Sequence, residues 1–183
     1  MSHSYIFIDT CSQCHKETRV RSVEGEYGLI CFRCIPDKNN TTVFVEKTSP
    51  IAILPKKATP GSANFDIFSL ENTIIYPHEI VAVRTGLKIE LPPSKVLEIY
   101  PRSGIALKYG ITVLNSPGQI DSDYRDEIKI ILYNVGYLKE PYIIKYGDRI
   151  AQCRIQTIES CHFIEDKIDM TRNRGGGFGS TGN

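Results

Sequence analysis

The chain has 183 residues, 41% of them hydrophobic, with 22 Lys and Arg against 21 Asp and Glu. That length suits one medium domain with a small appendage, and the near-zero net charge excludes the basic footprint of a nucleic-acid or anionic-membrane binder. No apolar run approaches a bilayer span and "MSHSYIFIDT" lacks the basic flank and apolar length of a signal peptide, so a cytoplasmic protein is expected.

In chain order, the first feature is a pair of knuckles, "CSQC" (Cys11, Cys14) and "CFRC" (Cys31, Cys34). In a reducing compartment such spacing points to metal ligation rather than disulfides. Each knuckle aims two thiolates at one ion, which predicts a structural zinc held by four cysteines, with free thiols or a redox pair as the alternative. The intervening "TRVRSVEGEYGLI" alternates β-formers and polar residues around a Gly-Glu turn and predicts a hairpin. Forty residues bury little core, so a metal staple has a physical purpose there. Residues 1–40 resemble a zinc ribbon, whose partner, protein or nucleic acid, the sequence does not name.

"IPDKNNTT" then reads as a turn-rich boundary. Beyond it, "VFVEKT", "EIVAVRTGLKIELP", "KVLEIY", "EIKIILYN", "PYIIKYG" and "RIAQCRIQTI" carry β-branched residues with partial alternation, broken by Gly, Pro and Asp turns. Short strands at close spacing predict an all-β barrel or jelly roll over 43–170. "SGIALKYG" predicts one or two helical turns capped by Ser103. Cys153 and Cys161 have no ligand-spaced neighbours, and alternation turns Cys153 inward, away from Gln152. Residues 171–183 end in "GGGFGSTGN", a mobile arm by composition.

Five segments stand out against this background: "ATPGSANFDIFS", "PRSGIALKYG", "NSPGQIDSDYRDEI", "YGDRIAQ" and "RGGGFGSTG". Any one of them alone is a weak signal. In this order and at this spacing they closely resemble the trimeric dUTPase family, over essentially all of 43–183. The N-terminal cysteine module lies outside the family pattern.

The resemblance implies a homotrimer of β-jelly rolls with a flexible closing arm. It implies hydrolysis of dUTP to dUMP and pyrophosphate with magnesium, in sites built from three chains. Asp121 would be the catalytic base, orienting and deprotonating a water. The hairpin would read uracil through Asn115 and backbone near Gly118 and after Asp126, with Ile120 a further contact and Tyr124 packed under the deoxyribose. Ser103 beside Gly104 would donate to the bridging oxygen between the α and β phosphates, and Gln152 to a phosphate oxygen. Lys129 is carried over as a further substrate contact. Arg102 has two readings, phosphate clamp or partner of Asp66; the family favours the second, and Arg149 is carried over with Asp66 as a structural residue near the site. In the arm, Phe178 would stack on uracil, while Gly179, Ser180 and Thr181 meet the phosphates. Magnesium would arrive on the triphosphate, since no carboxylate cluster suggests a protein-built cage.

Three positions depart from the family. Asn64 and Asp126 stand where glycine is usual, and both residue types tolerate a left-handed turn. The phosphate-gripping arginine of the arm falls on Asn173, so Arg174 is the substitute expected. A dCTP deaminase, which shares the fold, is disfavoured because its glutamate aligns with Ile131. Two further alternatives are a hydrolase of a modified pyrimidine nucleotide, and a regulatory protein acting through the ribbon.

Overall fold

The computed structural model describes residues 41–173 and 175, and the backbone of 6–10, 17–22 and 29–31. Near the N-terminus, β1 (Ile6–Thr10), β2 (Glu17–Ser22) and β3 (Leu29–Cys31) form an antiparallel sheet in that order. The hairpin expected between the knuckles is the β2–β3 pair, in which Val20 lies opposite Cys31. Cys11, Cys14 and Cys34, and the side chain of Cys31, lie outside the described residues.

The rest is β-structure with few helices. β4 (Phe44–Lys47), β5 (Phe65–Phe68), β6 (Thr73–Ile75), β7 (Ile80–Arg84), β8 (Leu87–Glu90) and β9 (Lys95–Tyr100) precede helix α1 (Ser103–Tyr109). β10 (Ile111–Val113), β11 (Gly118–Ile120), β12 (Lys129–Asn134), β13 (Tyr142–Ile144) and β14 (Arg149–Thr157) follow it. The strands pair as β11-β9-β14-β5, β10-β12-β7, β13-β6 and β4-β8.

Alternation explains the burial. Along β12, Ile130, Leu132 and Asn134 point inward, while Lys129, Ile131 and Tyr133 are more exposed. Ile130 and Leu132 join Ile75, Val83, Ile111 and Ile144 in one enclosed apolar core. The run "EIVAVRTGLKIELP" reads as one strand region but divides into β7 and β8. Gly86 turns it with φ 73°, where a Cβ would meet that of Ala52 at 2.8 Å. Thr85 is buried there, and its hydroxyl donates to the Ile128 carbonyl at 2.7 Å.

Ser103 does not cap α1. It is the first residue of the helix, and Arg102 occupies the cap position in an extended conformation, with no side-chain cap bond. The Arg102 guanidinium is engaged with Asp66 instead, which leaves the exposed Ser103 hydroxyl available to a ligand.

Candidate active site

The first half of the site lies where β5, β14 and the start of α1 meet. Asp66 on β5 stands directly opposite Gln152 on β14. A register shift between Arg149 and Ala151 marks a β-bulge. It lets Ile150 and Ala151 both turn into the core and sends Arg149 and Gln152 to the same outer side. Asp66 is only 5% exposed. Its Oδ1 accepts from Arg102 Nε at 3.1 Å, and its Oδ2 from Arg149 Nη1 at 3.2 Å. Arg102 Nη1 also donates to the Arg149 carbonyl at 3.0 Å. Charge-assisted bonds to both oxygens make a buried carboxylate tolerable. Of the two readings of Arg102, pairing with Asp66 is the one the structure holds.

These groups line a cavity of about 260 Å³ shared by Asn64, Asp66, Arg102, Arg149 and Gln152. Two guanidiniums against one carboxylate leave it net positive, which suits an anion. Ser103 and Gly104 are exposed at the start of α1, and a Cβ on Gly104 would meet nothing within 4 Å.

The second half is the hairpin after β10. The Ser116–Pro117 peptide is cis. The Asn115 amide lies against Gly118, where a Cβ would come within 3.2 Å of its Nδ2. Glycine at 118 is therefore what lets the amide sit there. Beyond Ile120 the chain turns, with Tyr124 N–H donating to the Asp121 carbonyl at 3.2 Å. The Asp121 carboxylate is exposed and has no hydrogen bond or ion pair among the described residues. Tyr124, 38% exposed, donates its hydroxyl to the Glu127 carbonyl at 3.2 Å, which spans the tip.

Glu127 anchors this tip to the body, a role the sequence did not disclose. Its carboxylate takes a bidentate grip from Arg84, with Nη2 at 2.9 Å, and accepts from Gly86 N–H at 2.9 Å. Burial pushes its carboxyl up, but these bonds and the charges of Arg84 and Lys129 outweigh it and hold the group below the usual carboxylate range. Lys129 itself is exposed on β12, opposite Arg84.

Within one chain the two halves do not meet. β11 and β14 flank β9 on opposite sides; Ile120 is level with Leu97, whereas Gln152 is level with Tyr100. Three residues along a strand and two strand spacings across separate them by roughly 14 Å.

Neither Asn64 nor Asp126 takes a left-handed backbone, contrary to the glycine-like turns expected of them. Asn64 instead bonds Gln152, and Asp126 is exposed. Cys153 is buried as expected, and burial pushes its thiol up to about 12. Asn173 caps the 3₁₀ turn Met170–Arg172 and accepts from Gly175 N–H at 3.0 Å. Arg174, Phe178, Gly179, Ser180 and Thr181 lie outside the described residues.

Residues 51–182 match the family model for dUTPase. A deoxyuridine 5'-triphosphate nucleotidohydrolase from Clostridium kluyveri is 45% identical over 142 residues, covering 76% of this chain and 97% of that one. Its counterpart in Ehrlichia canis is 44% identical over 153 residues, covering 79% and 99%. Among solved structures, a variant dUTPase of phage 80alpha superposes with a TM-score of 0.69 at 25% identity, covering 76% of this chain and 98% of that one. A dUTPase variant from phage phi11 of S. aureus, described as coordinating a structural Mg(II) ion, gives 0.64 at 24% identity, covering 71% and 99%.

Proposed function

The chain belongs to the dUTPase family and is a deoxyuridine triphosphate nucleotidohydrolase; from that premise we propose how its residues divide the work. The hairpin holds uracil. Asn115 offers two donors and an acceptor to the ring edge, backbone groups of Gly118 to Ile120 complete the pairing, and Tyr124 floors the deoxyribose. The exposed Asp121 accepts a proton from a water whose oxygen attacks the α-phosphorus. The bond to the bridging oxygen breaks, and pyrophosphate leaves with the electron pair. Ser103 donates to that bridging oxygen as its charge develops. Gln152 and a net-positive wall of Arg102 and Arg149, aligned by Asp66, receive the phosphates. Lys129 is the nearby cation, and Gly104 leaves room for close approach.

The substrate is dUTP as its magnesium complex, the metal spreading charge over the phosphates. A related phage enzyme is described with a structural Mg(II) ion, which supports use of that metal. Residues 171–183 form the arm, with Arg174, Phe178, Gly179, Ser180 and Thr181 closing over the nucleotide.

The single observation that carries the assembly is the separation of the two halves. Ile120, the residue before Asp121, lies roughly 14 Å along the sheet from Gln152 of the same chain, which supports a site whose carboxylate comes from a second copy. A homotrimer with shared sites is the arrangement this supports. Pyrophosphate release from dUTP, dCTP, dTTP and UTP with magnesium tests the substrate. Turnover of dUTP should exceed the others by at least about tenfold to a hundredfold: cytosine leaves the pairing groups unsatisfied, a tight hairpin has no room for the methyl of thymine, and Tyr124 under the sugar has none for the 2′-hydroxyl of UTP. Comparable turnover of dCTP would overturn the assignment of Asn115.

We propose a structural zinc for 1–40, a module distinct from the catalytic domain at 43–170. β1 ends at Thr10 opposite Glu17 and β3 ends at Cys31 opposite Val20, so both strands run towards the end of the sheet where β2 begins. The first CxxC follows β1 in sequence and the second starts at the last residue of β3, an order that supports a four-cysteine site of Cys11, Cys14, Cys31 and Cys34. The native protein should show one fast-reacting thiol, the exposed Cys161, and all six after chelation and unfolding. Five fast thiols in chelator-free protein would exclude the zinc. No helix among the described residues is long and apolar enough to cross a membrane. A cytoplasmic setting accords with a nucleotide substrate. The partner of the module is a protein or nucleic acid yet to be found.

A further inference from the structure

Asn64 occupies a position where its family usually has glycine, and its backbone makes no use of glycine-like freedom. The substitution therefore acts through the side chain. Asn64 Nδ2 donates to Gln152 Oε1 at 3.2 Å, and both residues line the cavity. Asn64 Oδ1 is buried with no hydrogen-bond partner, so this one bond is what the amide contributes.

A glutamine amide is ambiguous towards an anion. Its NH₂ end attracts a phosphate oxygen and its carbonyl end repels one. Free rotation about the last side-chain bond offers both ends. A donor fixed on Oε1 removes the ambiguity, because the carbonyl is then held at Asn64 and the two N–H donors of Gln152 are left for the cavity. Its neighbours Arg102 and Arg149 are committed in part to Asp66, so Gln152 is the neutral donor beside them.

We propose that Asn64 is a positioning residue that locks Gln152 with its NH₂ group facing the nucleotide's phosphates. The proposal rests on the reading of Gln152 as a phosphate ligand. It is distinct from base recognition, since Asn64 lies on the phosphate side of the site.

The test is a double-mutant cycle on dUTP hydrolysis with Asn64→Ala and Gln152→Ala, alongside inhibition by deoxyuridine, which has no phosphate. Losing one such hydrogen bond should lower kcat/KM about threefold to tenfold in Asn64→Ala. The same substitution should have no further effect once Gln152 is alanine. Asn64→Asp, which can only accept, should turn the Gln152 carbonyl to the phosphates and lose more activity than Asn64→Ala. Deoxyuridine inhibition should stay the same in all variants. Wild-type kcat/KM in Asn64→Ala, or an equal loss from it in both Gln152 backgrounds, would overturn the positioning role while leaving Gln152 as a ligand. Wild-type kcat/KM in Gln152→Ala would instead remove Gln152 from the site, and the proposal with it. If Asn64→Ala fails to fold, Asn64→Gly, which restores the family's usual residue, takes its place in the same cycle.

Discussion

Asp121→Asn should lose dUTP hydrolysis by about a hundredfold to ten-thousandfold, the span a positioned general base contributes. The chain should keep its fold and still bind dUTP. Asparagine matches aspartate in shape but cannot take a proton from water at neutral pH. The Asp121 side chain is exposed and makes no hydrogen bond or ion pair among the described residues, so its replacement disturbs no packing. The turn is held by backbone, through Tyr124 N–H on the Asp121 carbonyl, and by Glu127 clamped to Arg84 and Gly86. Stability should therefore move by less than about 0.5 kcal/mol, as for other surface changes. Removing a negative charge near a triphosphate should leave dUTP affinity equal or tighter. Single-turnover chemistry with isotopically labelled dUTP separates the two effects. An asparagine variant as fast as wild type would exclude Asp121 as the base.

Asp66→Ala should be the most destabilising single change in the site. The carboxylate is 5% exposed and bonds Arg102 and Arg149 at once. Its removal leaves the mostly buried Arg102 guanidinium without its counter-charge. Breaking one side of a buried pair costs several kcal/mol, and the half-exposed Arg149 puts this case at the lower end, about 3 kcal/mol. For a domain of this size that is a fall in Tm of roughly 6–12 °C. Arg149→Ala removes the exposed partner and should cost about 1 kcal/mol or less. The order Asp66→Ala, then Arg102→Ala, then Arg149→Ala follows from exposure alone. Thermal unfolding of the three variants checks it; equal shifts in all three would mean that the carboxylate is not the hub.

Much of this was legible in the residues, for identifiable reasons. "KVLEIY" is a strand at its quoted limits because β-branched, aliphatic and aromatic residues are concentrated between turn signals. The three-residue strands β6, β10 and β11 are too short to show a period, whereas β13, equally short, stands out because "PYIIKYG" is rich in β-formers between turn residues. Asp66 with Arg102 came from resemblance to a family motif, and the geometry holds that pair. What periodicity misses is contact between distant segments. Nothing local in "YRDEI" or "EIVAVR" says that Arg84 will grip Glu127, 43 residues on. The bulge that sets Arg149 and Gln152 on one side is likewise invisible, because alternation assumes an unbroken ladder. Asn64 invited a backbone explanation, as a stand-in for glycine, when its action lies in its amide.

The central claim is that a working site takes its base from one copy of the chain and its phosphate cavity from another. Co-refolding equal amounts of Asp121→Asn and Ser103→Ala chains, each nearly inactive alone, measures this directly. In mixed trimers a site can combine the intact hairpin of one variant with the intact cavity of the other. Random assortment should then restore about a quarter of wild-type activity. Activity that stays at the sum of the two separate variants would place both halves in one chain and contradict the account.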